Sequence, residues 1–276
     1  MNAKQRNEYW IKVERLRSKL DRKYSSLFRE AISKDLQKVA SDVREVGPQA
    51  ARSMMGAYAW NDSMMTIMNN LYRESAILFG NASYRAVRLM SRKAADPFGL
   101  NNDLISEIIN FLMFYGFTLV AEMTQTTKKN IDQIIQQAIA DGKSSEEIAQ
   151  LIMSDKSNGY SRMRAMRIAR TEVMRSSNYA AMKGAEKLGF EVDKVWIASR
   201  DNRTRRIPRN SYDHFNMDGM QVPYAEPFLS RGKQGDTVVA AYPGDPTTPA
   251  GFTINCRCTI AFMPKRNEFG QLIEKR

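Results

Sequence analysis

The residues best suited to chemistry lie in the last third of the chain. Residues 200–219 combine five arginines and three aspartates with His214, the single histidine of the sequence. Pro208 cannot donate a backbone hydrogen bond, and Asp218 followed by Gly219 favours a turn, so an irregular loop is predicted here. A loop with so many charges needs neighbouring elements to hold it in shape.

The two cysteines of the chain, Cys256 and Cys258, are separated by one residue. Together with His214 they could supply three ligands to zinc, with Asp201 or Asp213 as a fourth. Zinc sites usually place two or more residues between paired cysteines, and thiols at alternate strand positions point to the same face and pack in a core. The pattern therefore favours packing, no cofactor is expected, and zinc at His214, Cys256 and Cys258 stays as an alternative.

The same side chains could instead form an active site. A metal-dependent nuclease or a toxin-like enzyme would use Asp201, His214, Cys256 and Cys258. The sequence contains no P-loop, GxSxG or HExxH motif, and a nucleophile needs its base within hydrogen-bond reach, which spacing alone does not establish. The preferred interpretation is that the chain is not an enzyme and that these residues stabilise the loop.

The arginines and their neighbours divide into two predicted groups. The residues expected to form a structural network are Arg170, Glu172, Asp201, Arg203, His214, Asp218, Asn255, Cys256 and Cys258. The residues expected to be exposed and to bind DNA phosphates are Arg162, Arg164, Arg167, Arg205, Arg206 and Arg209. The formal net charge of +12 favours a polyanionic partner.

The first half of the chain is predicted to be helical. Apolar residues recur at spacings of three, four or seven over residues 3–45, which predicts a long helix with a narrow apolar stripe. Residues 1–40 hold 11 Lys/Arg against 5 Asp/Glu, an excess of six positive charges, so this helix is also a candidate basic arm. Helix is predicted to continue over residues 49–93, with a turn at 96–99 and an apolar helix from about 103 to 126.

The most apolar segment, residues 104–121, barely reaches the length needed to span a membrane and contains Glu107 and Asn110. It is predicted to be a buried helix of a bundle or an oligomer contact. Membrane contact is not expected, and a membrane-active ejection protein is the alternative. The N-terminal residues lack the apolar core of a signal peptide, and the two cysteines do not suggest a disulfide framework, so a reducing compartment is expected.

The second half is predicted to change from helix to sheet. Two short helices are expected over residues 127–154, the second capped by Ser144 or Ser145, followed by a loop at 155–161. A strong helix over 161–188 is predicted to spread its arginines over the surface. Strands are then predicted at 192–199, 236–242 and 253–262, with a short strand or a turn at 219–223, followed by a tail expected to be mobile.

These elements predict an α+β fold, with a long mostly helical N-terminal region followed by a small C-terminal α+β domain with a short antiparallel sheet. The predicted domains are a helical arm or bundle (1–126), a short helical adaptor and linker (127–160), the α+β domain (161–263) and a polar tail (264–276).

Several separated features of the α+β domain occur in a defined order. They are Arg170-Thr171-Glu172 with Asn178, Trp196, Asp201-x-Arg203-Thr204-Arg205, Asp213-His214, Asp218-Gly219, Pro243-Gly244-Asp245-Pro246 and Asn255-Cys256-Arg257-Cys258. This ordered set, over residues 161–263, resembles the C-terminal domain of tailed-bacteriophage minor head proteins, the Mu F-like or SPP1 gp7-like head morphogenesis family.

The resemblance implies a minor capsid protein built into the procapsid in few copies. Its implied partners are the portal protein, the major capsid or scaffolding protein, and packaged double-stranded DNA bound without sequence preference. It also implies a place in the capsid interior of the virion, and in the host cytoplasm during assembly, with a role in DNA packaging or ejection. No small-molecule substrate is implied, and a homo-oligomer stays open.

Overall fold

A computed structural model describes residues 1–56, 62–91 and 100–275. The helices are α1 (Ala3–Val46), α2 (Pro48–Met54), α3 (Asp62–Ser75), a π-helical turn (Ala76–Gly80), α4 (Asn81–Ser91), α5 (Asn102–Ala140), α6 (Ser145–Met153), α7 (Asp155–Glu186) and α8 (Ala250–Thr253). The strands are β1 (Val192–Ile197), β2 (Gln221–Pro223), β3 (Phe228–Arg231), β4 (Thr237–Ala240) and β5 (Thr259–Pro264). The predicted α+β fold class is confirmed. The predicted turn at residues 96–99 lies outside the described residues.

The long first helix forms as predicted. Its buried residues recur every three or four positions, as in Leu20, Tyr24, Phe28 and Ile32, which places them on one helical face. The helix ends before Gly47, which has a φ of 86° and precedes a proline. The apolar period therefore fixes the extent of α1.

Two predicted helix boundaries are wrong. The apolar helix α5 does not end near residue 126 but continues to Ala140, because the stripe that includes Ile131 and Ile135 keeps the same helical period. It stops only where Gly142 adopts a φ of 69°. Residues 155–161, predicted as a loop, form the first turns of α7. The predicted cap of α6 is Ser144, whose hydroxyl accepts the Glu147 N–H.

The described residues form two compact units. Unit 1 contains Met1–Asp21, Leu71–Leu112 and Arg170–Arg276, and unit 2 contains Arg22–Asn70 and Met113–Ala169. Both units are assembled from discontinuous segments because long helices pass from one to the other. The domains predicted from the sequence are continuous segments of the chain, whereas each of these compact units combines several separate segments.

The sheet of unit 1 has the antiparallel order β2-β1-β5. Alternate residues of β1 face opposite sides of this sheet. Val195 and Ile197 pack with Tyr9 and Trp10 near the start of α1, while Trp196 packs edge-on against other aromatic rings. The sheet thus has one face covered by α1 and another face available to position a site.

The C-terminal region differs from the prediction in two strands and in the tail. Residues 236–242 contain β4, which pairs with the unpredicted strand β3 in a separate two-stranded sheet. The strand predicted at 253–262 begins only at Thr259, because residues 250–253 are helical and Asn255 adopts a φ of 59°. The tail is hydrogen-bonded, with Glu191 N–H donating to the carbonyl of Ile273 at 2.7 Å. The polar tail is therefore folded onto the chain.

The apolar segment of α5 is only partly buried. Ile108 and Leu112 are buried, but Phe114 and Phe117 are 71% and 63% exposed. The helix is long and apolar enough to cross a membrane, and a third of its most apolar stretch of 18 residues is buried. One such helix is weak evidence for a membrane span, because core helices of soluble proteins share its length and composition.

The part of α7 from Arg170 onward belongs to unit 1 and packs closely there. Gly184 packs directly on the π-helical turn, since a Cβ added there would lie 2.3 Å from the carbonyl oxygen of Gly80. Tyr179, five residues earlier, stacks on Phe111 of α5 with 4.2 Å between ring centroids. This close contact fixes the helix from which the polar network of the site projects.

Candidate functional site

His214, Cys256 and Cys258 meet in one buried group, the thiol–imidazole cluster. His214 Nδ1 lies 3.4 Å from Cys256 Sγ and 3.6 Å from Cys258 Sγ. The backbone N–H of Cys258 donates to Cys256 Sγ at 3.4 Å. All three residues are at most 3% exposed. The cluster thus joins the charged loop to the segment that leads into β5.

Aromatic rings surround the imidazole of His214. The Phe252 ring of α8 lies 4.2 Å from the imidazole centroid, and Trp196 of β1 lies 5.5 Å away in an edge-on arrangement. Trp196 in turn contacts Phe228 of β3. Among the described residues, His214 Nε2 has no hydrogen-bond partner. The ring is therefore held by packing and by the two sulfur atoms.

The two thiols of the cluster differ in acidity. The hydrogen bond from Cys258 lowers the pKa of Cys256 well below its usual value, with further help from His214 and Arg205 and against the effect of burial. The same hydrogen bond and burial raise the pKa of Cys258 well above its usual value. Cys256 is therefore the thiol that ionises first. Cys258 keeps its own proton and donates it in the hydrogen bond to Cys256 Sγ.

Neither predicted fourth ligand joins the cluster within the described part of the chain. Asp201 is bonded by Arg257 and accepts the Arg203 N–H at 3.0 Å. Burial alone would raise the pKa of Asp201, but Arg257 and the neighbouring hydrogen bonds lower it overall. Asp213 accepts two hydrogen bonds from Asn216, at 3.0 and 2.7 Å. Both carboxylates thus stabilise the loop itself.

Asp218 organises the end of the charged loop. Its Oδ1 accepts the Ala198 N–H at 3.1 Å, and its Oδ2 accepts hydrogen bonds from Arg6 and Arg200. Its side chain is 4% exposed. A carboxylate with several charge-assisted bonds is held firmly in place. The contact to Arg6, which the sequence did not suggest, ties the start of α1 to the loop.

Glu172, one of the residues expected in the structural network, has two buried partners. It is fully buried and accepts hydrogen bonds from Arg175 and from the hydroxyl of Tyr72, both at 2.8 Å. Arg170 instead donates to the Asn255 side chain at 2.9 Å. Residues three apart on a helix share a face, whereas residues two apart do not. For that reason Arg175, predicted to be on the surface, is buried beside Glu172.

A second buried guanidinium, that of Arg17, was missed by the sequence analysis. It donates to the side chains of Ser177 and Asn178, to the carbonyl of Cys258 and to Thr259. Arg17 lies three residues before Leu20, which places it on the buried stripe of α1. This spacing in the sequence could have predicted that Arg17 is buried. The first turns of α1 are therefore part of unit 1 and are not a free arm.

The loop arginines predicted to bind DNA differ in exposure. Arg205 is half-buried and donates to the carbonyl of Ile254, and Arg209 donates to the carbonyl of Thr204 at 2.8 Å. Arg206 is exposed and lies over the Phe215 ring, 3.9 Å from its centroid. Arg203, expected in the structural network, has a side chain that is 66% exposed, and its Nε lies 4.0 Å from Asp201 Oδ2. The most accessible cations of this loop thus include Arg203 and Arg206.

The other predicted DNA-binding arginines lie on the part of α7 that belongs to unit 2. Arg162 and Arg167 are exposed. Arg164 is half-buried, donating to Thr127 Oγ1 at 2.7 Å and to the carbonyl of Met123. Its guanidinium therefore takes part in packing within unit 2.

The fold and the site together define an α+β domain in which a basic loop is fixed by a buried polar network and a thiol–imidazole cluster. Residues 129–261 match the model of the family described as Phage Mu protein F like protein. This region, a little under half of the chain, is similar to the Mu F-like head morphogenesis family of bacteriophages, which supports the resemblance that the ordered motifs predicted. The family supports a role in phage head morphogenesis and a place in the capsid.

A curated relative extends this comparison. The NAD(+)--arginine ADP-ribosyltransferase EFV of Enterococcus faecalis is 33% identical over 136 residues, which are 48% of this chain and 25% of the relative. The chain thus matches about a quarter of the length of that protein. No solved structure matches the chain significantly.

Proposed function

We propose that the chain is a minor head protein that binds the portal inside the procapsid and contacts packaged double-stranded DNA. The family match supports the head-assembly part of this proposal. The DNA part rests on one observation, the exposure of Arg203 and Arg206 on a loop whose other charged groups form hydrogen bonds within the protein. In this proposal the protein assembles in the host cytoplasm and stays in the capsid interior.

The loop is suited to phosphate binding because it is already ordered. Asp218 holds Arg200, and Phe215 supports Arg206, so little side-chain entropy is lost when the loop meets DNA. Guanidinium groups form paired hydrogen bonds with phosphate oxygens, and such contacts carry no sequence information. Binding to duplex DNA without sequence preference follows from this geometry.

A salt series on duplex DNA tests the loop. In the double variant Arg203→Gln, Arg206→Gln, losing two phosphate contacts is expected to reduce the slope of log affinity against log salt by about 1.8. The control Lys187→Gln, Arg231→Gln removes the same charge from exposed positions elsewhere in unit 1. Equal slopes in the two double variants would show that binding depends on net charge, not on this loop.

The portal part of the proposal needs its own experiment. The full chain is expressed with portal protein and, separately, with the major capsid protein, and each mixture is analysed by size-exclusion chromatography. Co-elution with portal protein is expected. If the chain co-elutes with capsid protein but not with portal, the portal assignment fails. Failure to find the chain in purified particles by mass spectrometry would remove the virion assignment as well.

We also propose that the chain is not an enzyme. The relative's name suggests ADP-ribosyl transfer, but the shared region covers only a quarter of that protein. His214, Cys256 and Cys258 are buried behind aromatic rings, where a substrate would have no access. NAD⁺ consumption and DNA cleavage are expected to stay at the level of a buffer control. Activity that disappears in His214→Ala would support the enzyme alternative.

A further inference from the structure

We propose that the thiol–imidazole cluster binds one Zn²⁺ ion, through Sγ of Cys256, Sγ of Cys258 and Nδ1 of His214. The inference goes beyond the proposed head-assembly role and does not depend on DNA or portal binding. It rests on three donor atoms of the kinds that zinc prefers, which come together from two separate segments of the chain.

The distances between the donor atoms fit a zinc ion. With Zn–S bonds of about 2.3 Å and a Zn–N bond of about 2.05 Å at tetrahedral angles, a sulfur and a nitrogen ligand lie about 3.6 Å apart. The observed distances from His214 Nδ1 are 3.4 Å to Cys256 Sγ and 3.6 Å to Cys258 Sγ. All three donor atoms lie within 4.8 Å of one another. An ion can therefore enter the cluster with little movement of the side chains.

The ligand chemistry is balanced without an oxidant or reductant. Zn²⁺ binds two thiolates, so any thiol that is still protonated releases its proton to solvent as its Zn–S bond forms. His214 binds as a neutral imidazole, and its proton resides on Nε2. Because Asp201 and Asp213 bond to other residues, the protein supplies three ligands and a water molecule takes the fourth position.

The ion would link two segments that are distant in the sequence. His214 lies in the charged loop, and Cys256 and Cys258 immediately precede β5, 42 and 44 residues further along. Metal-binding energy at such a site contributes to folding, because the unfolded chain does not hold the ligands together. Zinc is therefore expected to stabilise unit 1 by fixing the charged loop on the sheet.

Metal analysis of the full chain, expressed without a polyhistidine tag and kept reduced, tests the proposal. One zinc per chain is expected by mass spectrometry of the metals. Replacement by Co²⁺ is expected to give the charge-transfer absorption of cobalt–thiolate bonds. The control Asp201→Asn is expected to keep both signals, whereas Cys258→Ser is expected to lose the metal.

A chelator experiment on the unaltered chain covers the case in which a cysteine variant does not fold. Removing zinc is expected to lower the melting temperature, and adding zinc back is expected to restore it with release of protons to the solvent. A reduced chain that takes up no metal after exposure to zinc would overturn the proposal. Exclusive binding of Cu⁺, which thiolates also favour, would overturn the assignment to zinc.

Discussion

Replacing Arg17 by methionine tests whether the start of α1 is built into unit 1. The Arg17 guanidinium is buried and makes four hydrogen bonds. Its acceptors are Ser177 Oγ at 2.7 Å, Asn178 Oδ1 at 2.6 Å, the Cys258 carbonyl at 3.0 Å and Thr259 Oγ1 at 3.2 Å. Methionine keeps much of the apolar stem and removes every donor.

The loss of stability expected for Arg17→Met is the difference between two opposing effects. Each hydrogen bond from a charged donor contributes about 1.5–3 kcal/mol to the free energy of unfolding. Burial lowers the pKa of Arg17, against the effect of nearby acids, and this desolvation offsets several kcal/mol of the gain. After the change, Asn178 Oδ1 still accepts from Thr259 Oγ1, and the Cys258 carbonyl still accepts from Asn178 Nδ2. The net decrease in the free energy of unfolding is expected to be about 3 kcal/mol.

Urea unfolding measured by tryptophan fluorescence provides the assay, because Trp196 is fully buried in unit 1. The control is Arg15→Met, an identical change two residues earlier at an exposed position. This control is expected to change the free energy of unfolding by no more than about 0.5 kcal/mol. Equal stability of the Arg17 and Arg15 variants would refute the inference that the first turns of α1 are fixed by a buried guanidinium.

Three other substitutions test the interior of unit 1. Glu172→Gln leaves a buried guanidinium uncompensated and is expected to cost about 3 kcal/mol in urea unfolding; an unchanged midpoint would argue against the ion pair. Gly184→Ala places a methyl group 2.3 Å from the Gly80 carbonyl and is expected to cost about 1–3 kcal/mol in thermal unfolding. Gly189→Ala, whose added methyl group would meet only Glu274 Oε2 at 4.0 Å, should be nearly neutral. Similar melting temperatures would contradict the close packing. Burial raises the pKa of Asp21 from 3.8 to about 6, so its ionisation destabilises the folded state above that pH. Asp21→Asn is therefore expected to stabilise the protein by about 3 kcal/mol near pH 8 and to lose this advantage as the pH falls to about 4; an advantage independent of pH would refute the assignment.

The sequence by itself determined the features that depend on near neighbours in the chain. The apolar period predicted α1 almost to its last residue, and Ser144 was a predicted cap of α6. The ordered motifs predicted the similarity to the Mu F-like family, because motif order is a property of the chain alone. Short elements were not predicted. Strand β3, for example, has only four residues, too few to show a clear alternation of apolar and polar side chains.

Only the tertiary structure decided which charged residues are paired and which are exposed. Arg17 is buried because its acceptors come from segments up to 242 residues away, and no local pattern specifies those partners. Arg203 and Arg205 belong to the same loop, yet one is exposed and the other bonds to a distant carbonyl. The role of a guanidinium depends on which groups the fold brings within hydrogen-bond distance, and spacing in the sequence does not set that distance.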